Sequence, residues 1–311
     1  MQPILVTSYA NPDLDGTAGM IAYAEFLEKT GTRAVAGTLG RPHDEAQYVL
    51  DRFHIERPLS LTNTDQFEQV ILVDASDLYG LEGGVAPEKV VEIIDHRVVH
   101  QAHLFPNAKV HIELVGAAAT LVAEIFMRGN TPISKNAATL LLAAIISNTL
   151  NFKGNVTTER DRAAAHWLNT IAMLDDHFWH ELFEAKSDLS GDKLVKQIED
   201  DFAFFTFGET RIGIAQIEML GAKKLLDERV DECIRALNII KEREKLQVVF
   251  QNTIDLERSQ SYLVVADKTA QDTLEKVIDV TFHGGIAEMP YLFMRKQIVP
   301  LLKQFFDGTS S

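Results

Sequence analysis

Asp13 and Asp15 stand two residues apart in Asn11-Pro12-Asp13-Leu14-Asp15-Gly16-Thr17, shortly after the apolar run Ile4-Leu5-Val6. In extended backbone, alternate side chains share a face, so both carboxylates are expected to point the same way at the carboxyl end of a strand. Pro12 fixes its own φ and pushes Asn11 out of helical space. Gly16 is expected to permit a sharp turn into a helix from Ala18 to Lys29. Two further strand ends carry similar chemistry: Asp74 closes Val70-Ile71-Leu72-Val73, and Asp95-His96-Arg97 closes Val90-Val91-Glu92-Ile93-Ile94. Carboxylate and imidazole donors suit Mg²⁺ or Mn²⁺. Asp13, Asp15, Asp74 and His96 could converge on a binuclear centre, its ions roughly 3.5–4 Å apart and sharing a carboxylate, that activates water to attack phosphorus. Arg97 would then hold phosphate bidentately, and Arg295 with Lys296 form the clearest basic spot in the second half. Each acid alone could equally be a helix cap or a solvated turn. Recurrence at three strand ends favours a site.

These side chains must be positioned by alternating strands and helices. The first half reads as strands at Ile4–Val6, Arg33–Thr38, Val70–Val73, Val90–Ile94 and Val110–Val115, with helices near Met20–Lys29 and His43–Phe53. Continuous β-branched runs between helices predict an α/β fold with a mainly parallel, doubly wound sheet. Helices follow at 116–128, 134–147, 158–174 and 176–186; the small residues Gly116 to Ala119 open the first, whose N-terminus is a ready anion site. Ser187-Asp188-Leu189-Ser190-Gly191-Asp192 is polar and turn-rich. It divides the 311 residues into a domain over 1–186, a linker over 187–192 and a smaller α/β domain over 193–311. That second domain opens with a helix to about Phe204. Strands are expected at 211–217, 246–255 and 261–266, with helices at 222–244 and 270–280 and a terminal helix after Pro300.

The net charge of −15 argues against duplex nucleic acid gripped by a basic surface, but a bound metal can hold phosphate against that field. No apolar run approaches a membrane span and no signal peptide is evident, so a cytoplasmic protein is expected. The single cysteine, Cys233, reads as structural. There is no GxxxxGK[ST] loop and no GxGxxG after a strand. Asp13-Leu14-Asp15-Gly16-Thr17 also fits the DxDGT signature of haloacid-dehalogenase-like phosphatases, with Asp13 as nucleophile. That reading places the acids too far past the apolar run and leaves Asp95-His96-Arg97 without a task.

Taken in order, Asn11-Pro12-Asp13-Leu14-Asp15, Asp74 and Asp95-His96-Arg97 resemble the DHH phosphoesterase superfamily. The closer likeness is to the manganese-dependent (family II) inorganic pyrophosphatases and their exopolyphosphatase relatives. Gly116-Ala117-Ala118-Ala119-Thr120-Leu121, Ile146-Ser147-Asn148-Thr149-Leu150-Asn151-Phe152-Lys153 and Arg295-Lys296-Gln297-Ile298-Val299-Pro300 resemble further segments of that family. The resemblance implies a DHH domain holding two Mn²⁺ (or Mg²⁺) ions, a flexible linker, a C-terminal domain that closes over a small phosphorylated substrate, and a possible homodimer. Asp13 would bind the first ion, Asp15 and His96 the second, and Asp74 both. The sequence departs from the family at telling places. Tyr9 stands for the first metal-binding histidine, Arg97 for the second histidine of DHH, and Asn148 for the aspartate of ISDT. Met294 and Arg295 replace an arginine and a lysine, and Ala203 falls loosely opposite a lysine. The expected function is hydrolysis of a phosphoanhydride or phosphodiester by water activated between two metals. The alternative is a homologue that binds phosphate or nucleotide without turnover.

Overall fold

The computed structural model describes residues 2–81 and 84–308. It forms two compact units, one of residues 1–152 with 156–182, the other of 153–155 with 183–311. The division falls slightly ahead of 187–192, within a helix (Phe178–Lys186) that runs on to the turn-rich stretch.

In the first unit, strands β1 (Ile4–Thr7), β2 (Ala34–Leu39), β3 (Leu59–Leu61), β4 (Val70–Val73), β5 (Val90–Asp95) and β6 (Lys109–Ile112) make one sheet in the order β3-β2-β1-β4-β5-β6. Every neighbouring pair is parallel. The chain winds outward from β1 to β3, crosses back to β4, and winds outward the other way. The order therefore reverses between β1 and β4, and in such sheets ligands bind beyond the carboxyl ends at that crevice. Asp13 follows β1 and Asp74 follows β4, so the reversal itself brings the two acids together. All four residues of β4 are buried, as a strand covered on both faces requires.

Helix α1 (Leu14–Lys29) begins earlier than the expected Ala18. Asp13 is its N-cap in extended conformation, and its Oδ1 accepts the Gly16 N–H at 2.9 Å. Asp15 thus sits in the first helical turn rather than alternating with Asp13 along an extended segment. Gly16 is not the turn either. It lies inside the helix, where a Cβ would come within 2.5 Å of Ser8 Oγ, and at Gly19 a Cβ would come within 2.4 Å of Val73 Cγ1. Two missing side chains let α1 press its first turns onto the ends of β1 and β4. After α2 (Asp44–Arg52), helices α3 (Ala118–Gly129), α4 (Lys135–Asn148), α5 (Glu159–Ala172) and α6 (Phe178–Lys186) follow the sheet. The apolar α4 is buried from Ala137 through Ser147, and α1 packs against both α3 and α4.

The second unit holds α7 (Lys193–Asp200), β7 (Phe202–Phe207), β8 (Thr210–Met219), α8 (Ala222–Glu244), β9 (Val248–Asp255), β10 (Gln260–Val265), α9 (Lys268–Val277), β11 (Ile286–Met289) and α10 (Arg295–Gly308). Its sheet runs β11-β10-β9-β8-β7, with β8–β9 parallel and the other pairs antiparallel. One apolar cluster lies under α7 and α8, another under α9 and α10. The helix expected to run to Phe204 stops at Asp200, because Phe202 to Phe207 pairs along β8 instead. Among the described residues no helix is long and apolar enough to cross a membrane.

Candidate metal and active site

Asp15 is fully buried at the start of α1. Its Oδ2 accepts the Ala118 N–H at 2.7 Å and its Oδ1 the Ala119 N–H at 2.8 Å. These are orphan donors in the first turn of α3, whose positive end favours a carboxylate. The side chain of Asn148, last residue of α4, donates to the same Oδ2 at 2.6 Å. α3 is itself held in place by Asp161 at the start of α5. That buried carboxylate accepts the Gly116 N–H at 3.0 and 2.9 Å and the Thr120 hydroxyl at 2.6 Å. It also closes a capping box with Thr158.

Asp74 leaves β4 with φ +58°. A left-handed aspartate is tolerated but strained, by about 1–3 kcal/mol, and here its N–H still reaches Ile94 O at 2.8 Å. The turn aims its carboxylate back over the sheet end, with Oδ1 3.4 Å from His96 Nε2. His96 Nε2 also lies 3.7 Å from Asp15 Oδ2. The other ring nitrogen, Nδ1, is 3.0 Å from Val115 O. A carbonyl can only accept, so Nδ1 carries a proton, and Nε2 is the ring nitrogen turned toward the two carboxylates. This is the outer-shell arrangement that fixes the tautomer of a metal-binding histidine.

Asp15, Asp74 and His96 each offer a donor atom within 4.8 Å of the others. Two oxygens and a neutral imidazole nitrogen fit a divalent cation such as Mn²⁺. The electrostatics agree. Burial first, then the Asp74 charge, push Asp15 up to about 8. Burial, then Asp74 and Glu45, push Asp13 up to about 6. Carboxylates gathered this closely and shielded from water call for a compensating cation.

Asp13 is not part of that triplet among the described residues. It caps α1 with its side chain, and its N–H donates to Tyr9 Oη at 3.1 Å. Arg97 lies beside Tyr9, its guanidinium carbon 5.5 Å from the ring centroid. Its Nη2 donates to Asp74 O at 2.7 Å and lies 3.8 Å from Asp74 Oδ2, with Asp77 and Asp95 carboxylates at 3.5 and 3.8 Å. Burial opposes its charge, but Asp95, then Asp74 and Asp77, hold the guanidinium protonated beyond its ordinary range. Asp95 is buried, accepts from Ser76 Oγ and takes the His96 N–H at 2.7 Å. It positions the two residues that follow it.

The sequence-predicted Asp13, Asp15, Asp74, His96, Arg97 and Asn148 therefore all gather at the carboxyl ends of β1, β4 and β5 and the end of α4. Arg295 and Lys296 lie in the second unit at the start of α10. Arg295 is engaged there, with Nη2 2.6 Å from Asp201 Oδ1 and Nη1 donating to Asp201 O and Ile214 O. The N–H groups of Ala118 and Ala119 belong to the helix start that the sequence marked as an anion site, and the anion they bind is Asp15. Three residues with a part in the site escaped the sequence reading: Asp161, Asp95 as a positioning group, and Glu45. Glu45 is nearly buried, accepts the Ser147 hydroxyl at 2.8 Å and bears on Asp13. Its only sequence signal was an acid on an amphipathic helix.

Comparison with known proteins agrees with this geometry. The family model for the DHH family, N-terminal domain, matches residues 3–145, and that for the DHHA2 domain matches residues 180–305. A protein of Exiguobacterium sp. named "Probable manganese-dependent inorganic pyrophosphatase" is 31% identical over 98% of this chain and 99% of its own length. A Bacillus mycoides protein of the same name is 31% identical over 99% of this chain and all of its own. The crystal structure of a Methanococcus jannaschii protein assigned to the family II inorganic pyrophosphatases superposes with a TM-score of 0.84 at 27% identity, over 98% of this chain and all of that one. The fold and the strand-end acids define a DHH-type phosphohydrolase. Within that class the chain belongs to the manganese-dependent (family II) inorganic pyrophosphatase family.

Proposed function

We propose that the chain hydrolyses a phosphoanhydride or phosphodiester bond in a small phosphorylated substrate, pyrophosphate or short polyphosphate first and a small nucleotide second. The observation that carries the proposal is the meeting of Asp15, Asp74 and His96 at the switch point of the sheet. Those residues would hold Mn²⁺, with Mg²⁺ as the alternative. When bound, the ion supplies Lewis acidity toward phosphoryl oxygens and lowers the pKa of a water.

The protein's own groups do the remaining work. The N-terminus of α3 fixes both oxygens of Asp15, so that carboxylate needs no reorganisation on binding. The Val115 carbonyl holds the His96 proton on Nδ1 and keeps Nε2 available as a donor atom. Arg97 carries a permanent positive charge beside Asp74, suited to phosphate oxygens. Names of relatives support pyrophosphate as the first substrate to try.

A second reading is favoured by Tyr9 and Asn148, both uncharged where the family places metal ligands: a homologue that binds phosphate or nucleotide without turnover. Phosphate release with Mn²⁺ from pyrophosphate, short polyphosphate and a panel of nucleotides, alongside Asp74→Ala, separates the two. Turnover lost in the variant is expected. Calorimetric binding without turnover in wild type would select the second reading.

A further inference from the structure

The departures at Tyr9 and Arg97 are not scattered. They meet. We infer that the site takes one divalent cation rather than two, the second position being occupied from within by the Arg97 guanidinium packed on Tyr9. The inference rests on the metal-dependent reading above and concerns how many ions that reading requires.

Three observations carry it. The one group of three metal-binding side chains found among the described residues is Asp15, Asp74 and His96, and these are the ligands the resemblance assigns to the second ion. The ligands it assigns to the first ion are Asp13, Asp74 and the residue at position 9. At position 9 stands a phenol whose oxygen already accepts the Asp13 N–H at 3.1 Å. Asp13 in turn spends Oδ1 on the Gly16 N–H. A phenol oxygen already engaged by that N–H is a poor exchange for an imidazole nitrogen.

The third observation is charge. Arg97 Nη2 lies 3.8 Å from Asp74 Oδ2, while Asp74 Oδ1 faces His96 Nε2 at 3.4 Å. The two oxygens of this carboxylate are thus turned toward different partners: one toward the His96 ring, one toward the guanidinium. An ion bridging from Oδ2 to Asp13 would have to sit against a fixed positive charge within a few ångströms, and at that range like charges repel strongly in a partly buried site. The guanidinium is not easily displaced. Asp77, Asp95 and the Asp74 carbonyl hold it from the sides, and the Tyr9 ring lies under it at cation–π distance. The substitutions at 9 and 97 thus make one compensated exchange, a removable divalent ion for a covalent monovalent one.

The test is stoichiometry. The full chain is stripped with chelator, loaded with excess MnCl₂, passed through gel filtration, and assayed for Mn²⁺ per chain by elemental analysis and by electron paramagnetic resonance. One ion per chain with the hyperfine pattern of isolated Mn²⁺ is expected. Two ions with an exchange-coupled spectrum would overturn the inference while leaving the metal-dependent function intact; no retained ion would overturn both. Tyr9→His/Arg97→His, checked for native circular dichroism, should rise to two ions with a coupled spectrum. A folded double variant that stays at one ion would show that Tyr9 and Arg97 do not set the count. The single Tyr9→His variant gives a second reading, with Arg97 still in place, and should remain at one.

Discussion

At the scale of single residues, the site is a set of carboxylates that folding has placed closer together and drier than their charges favour. Asp13 is raised to about 6 and Asp15 to about 8, each by burial first. A carboxyl whose folded pKa lies above its unfolded value contributes stability at low pH that is lost as pH rises through the folded value. Chelated protein should therefore lose thermal stability between roughly pH 4 and 8. Added Mn²⁺ competes with those protons, so its stabilisation should grow over the same range. Thermal melts with chelator and with Mn²⁺ check this, and a metal shift that shrinks toward pH 8 would contradict it. Asn148→Asp adds a carboxylate beside Asp15 Oδ2. It should tighten Mn²⁺ binding about tenfold or more, as outer and inner ligand changes commonly do, and lower the melting point of the metal-free protein; calorimetric titration reads the first effect.

The metal-facing residues were legible because acids and a histidine at three strand ends are a strong pattern. What holds them was legible only in part. The small residues from Gly116 to Ala119 marked a helix start that takes an anion, but a peptide N–H does not say which anion, and here it is Asp15, more than a hundred residues away. Asp161 looks like an ordinary helix cap until the fold brings Gly116 and Thr120 to it.

At the scale of elements, the position of α1 depends on two glycines that sequence reading assigned to a turn or passed over. Gly19→Ala should destabilise by about 1–3 kcal/mol, the usual range for overpacking, because the new methyl meets Val73 on β4; urea unfolding measures it. Asp161→Ala should cost about as much or more, since it leaves buried donors of Gly116 and Thr120 unsatisfied. It should also weaken Mn²⁺ binding through the displaced N-terminus of α3, an effect that a purely structural role would not produce. Asp161→Asn, which keeps one acceptor oxygen, should retain more of both. The alternation of strands and helices was readable from continuous apolar runs. The three-residue edge strand β3 was not, having no room for a pattern, with Leu59 and Ser60 exposed. β7 was missed because its phenylalanines suit a helix face and a strand equally, and pairing with β8 decides between them.

At the scale of the whole molecule, a chain of net charge −15 works on anions only where positive charge is concentrated locally. Duplex DNA should show no binding in a mobility-shift assay at physiological salt, since non-specific affinity comes from neutralised phosphates. The switch in strand order gathers the acidic and imidazole donors at the strand ends of the first unit. The central claim is that this gathering is a metal-dependent hydrolytic site. Its most direct test is phosphate release from pyrophosphate by protein stripped with chelator, before and after Mn²⁺ is restored, in wild type and in Asp74→Ala. The expected result is no release when stripped, recovery with Mn²⁺ in wild type, and no recovery in Asp74→Ala. Release that persists without metal, or that returns in full in Asp74→Ala, would contradict it.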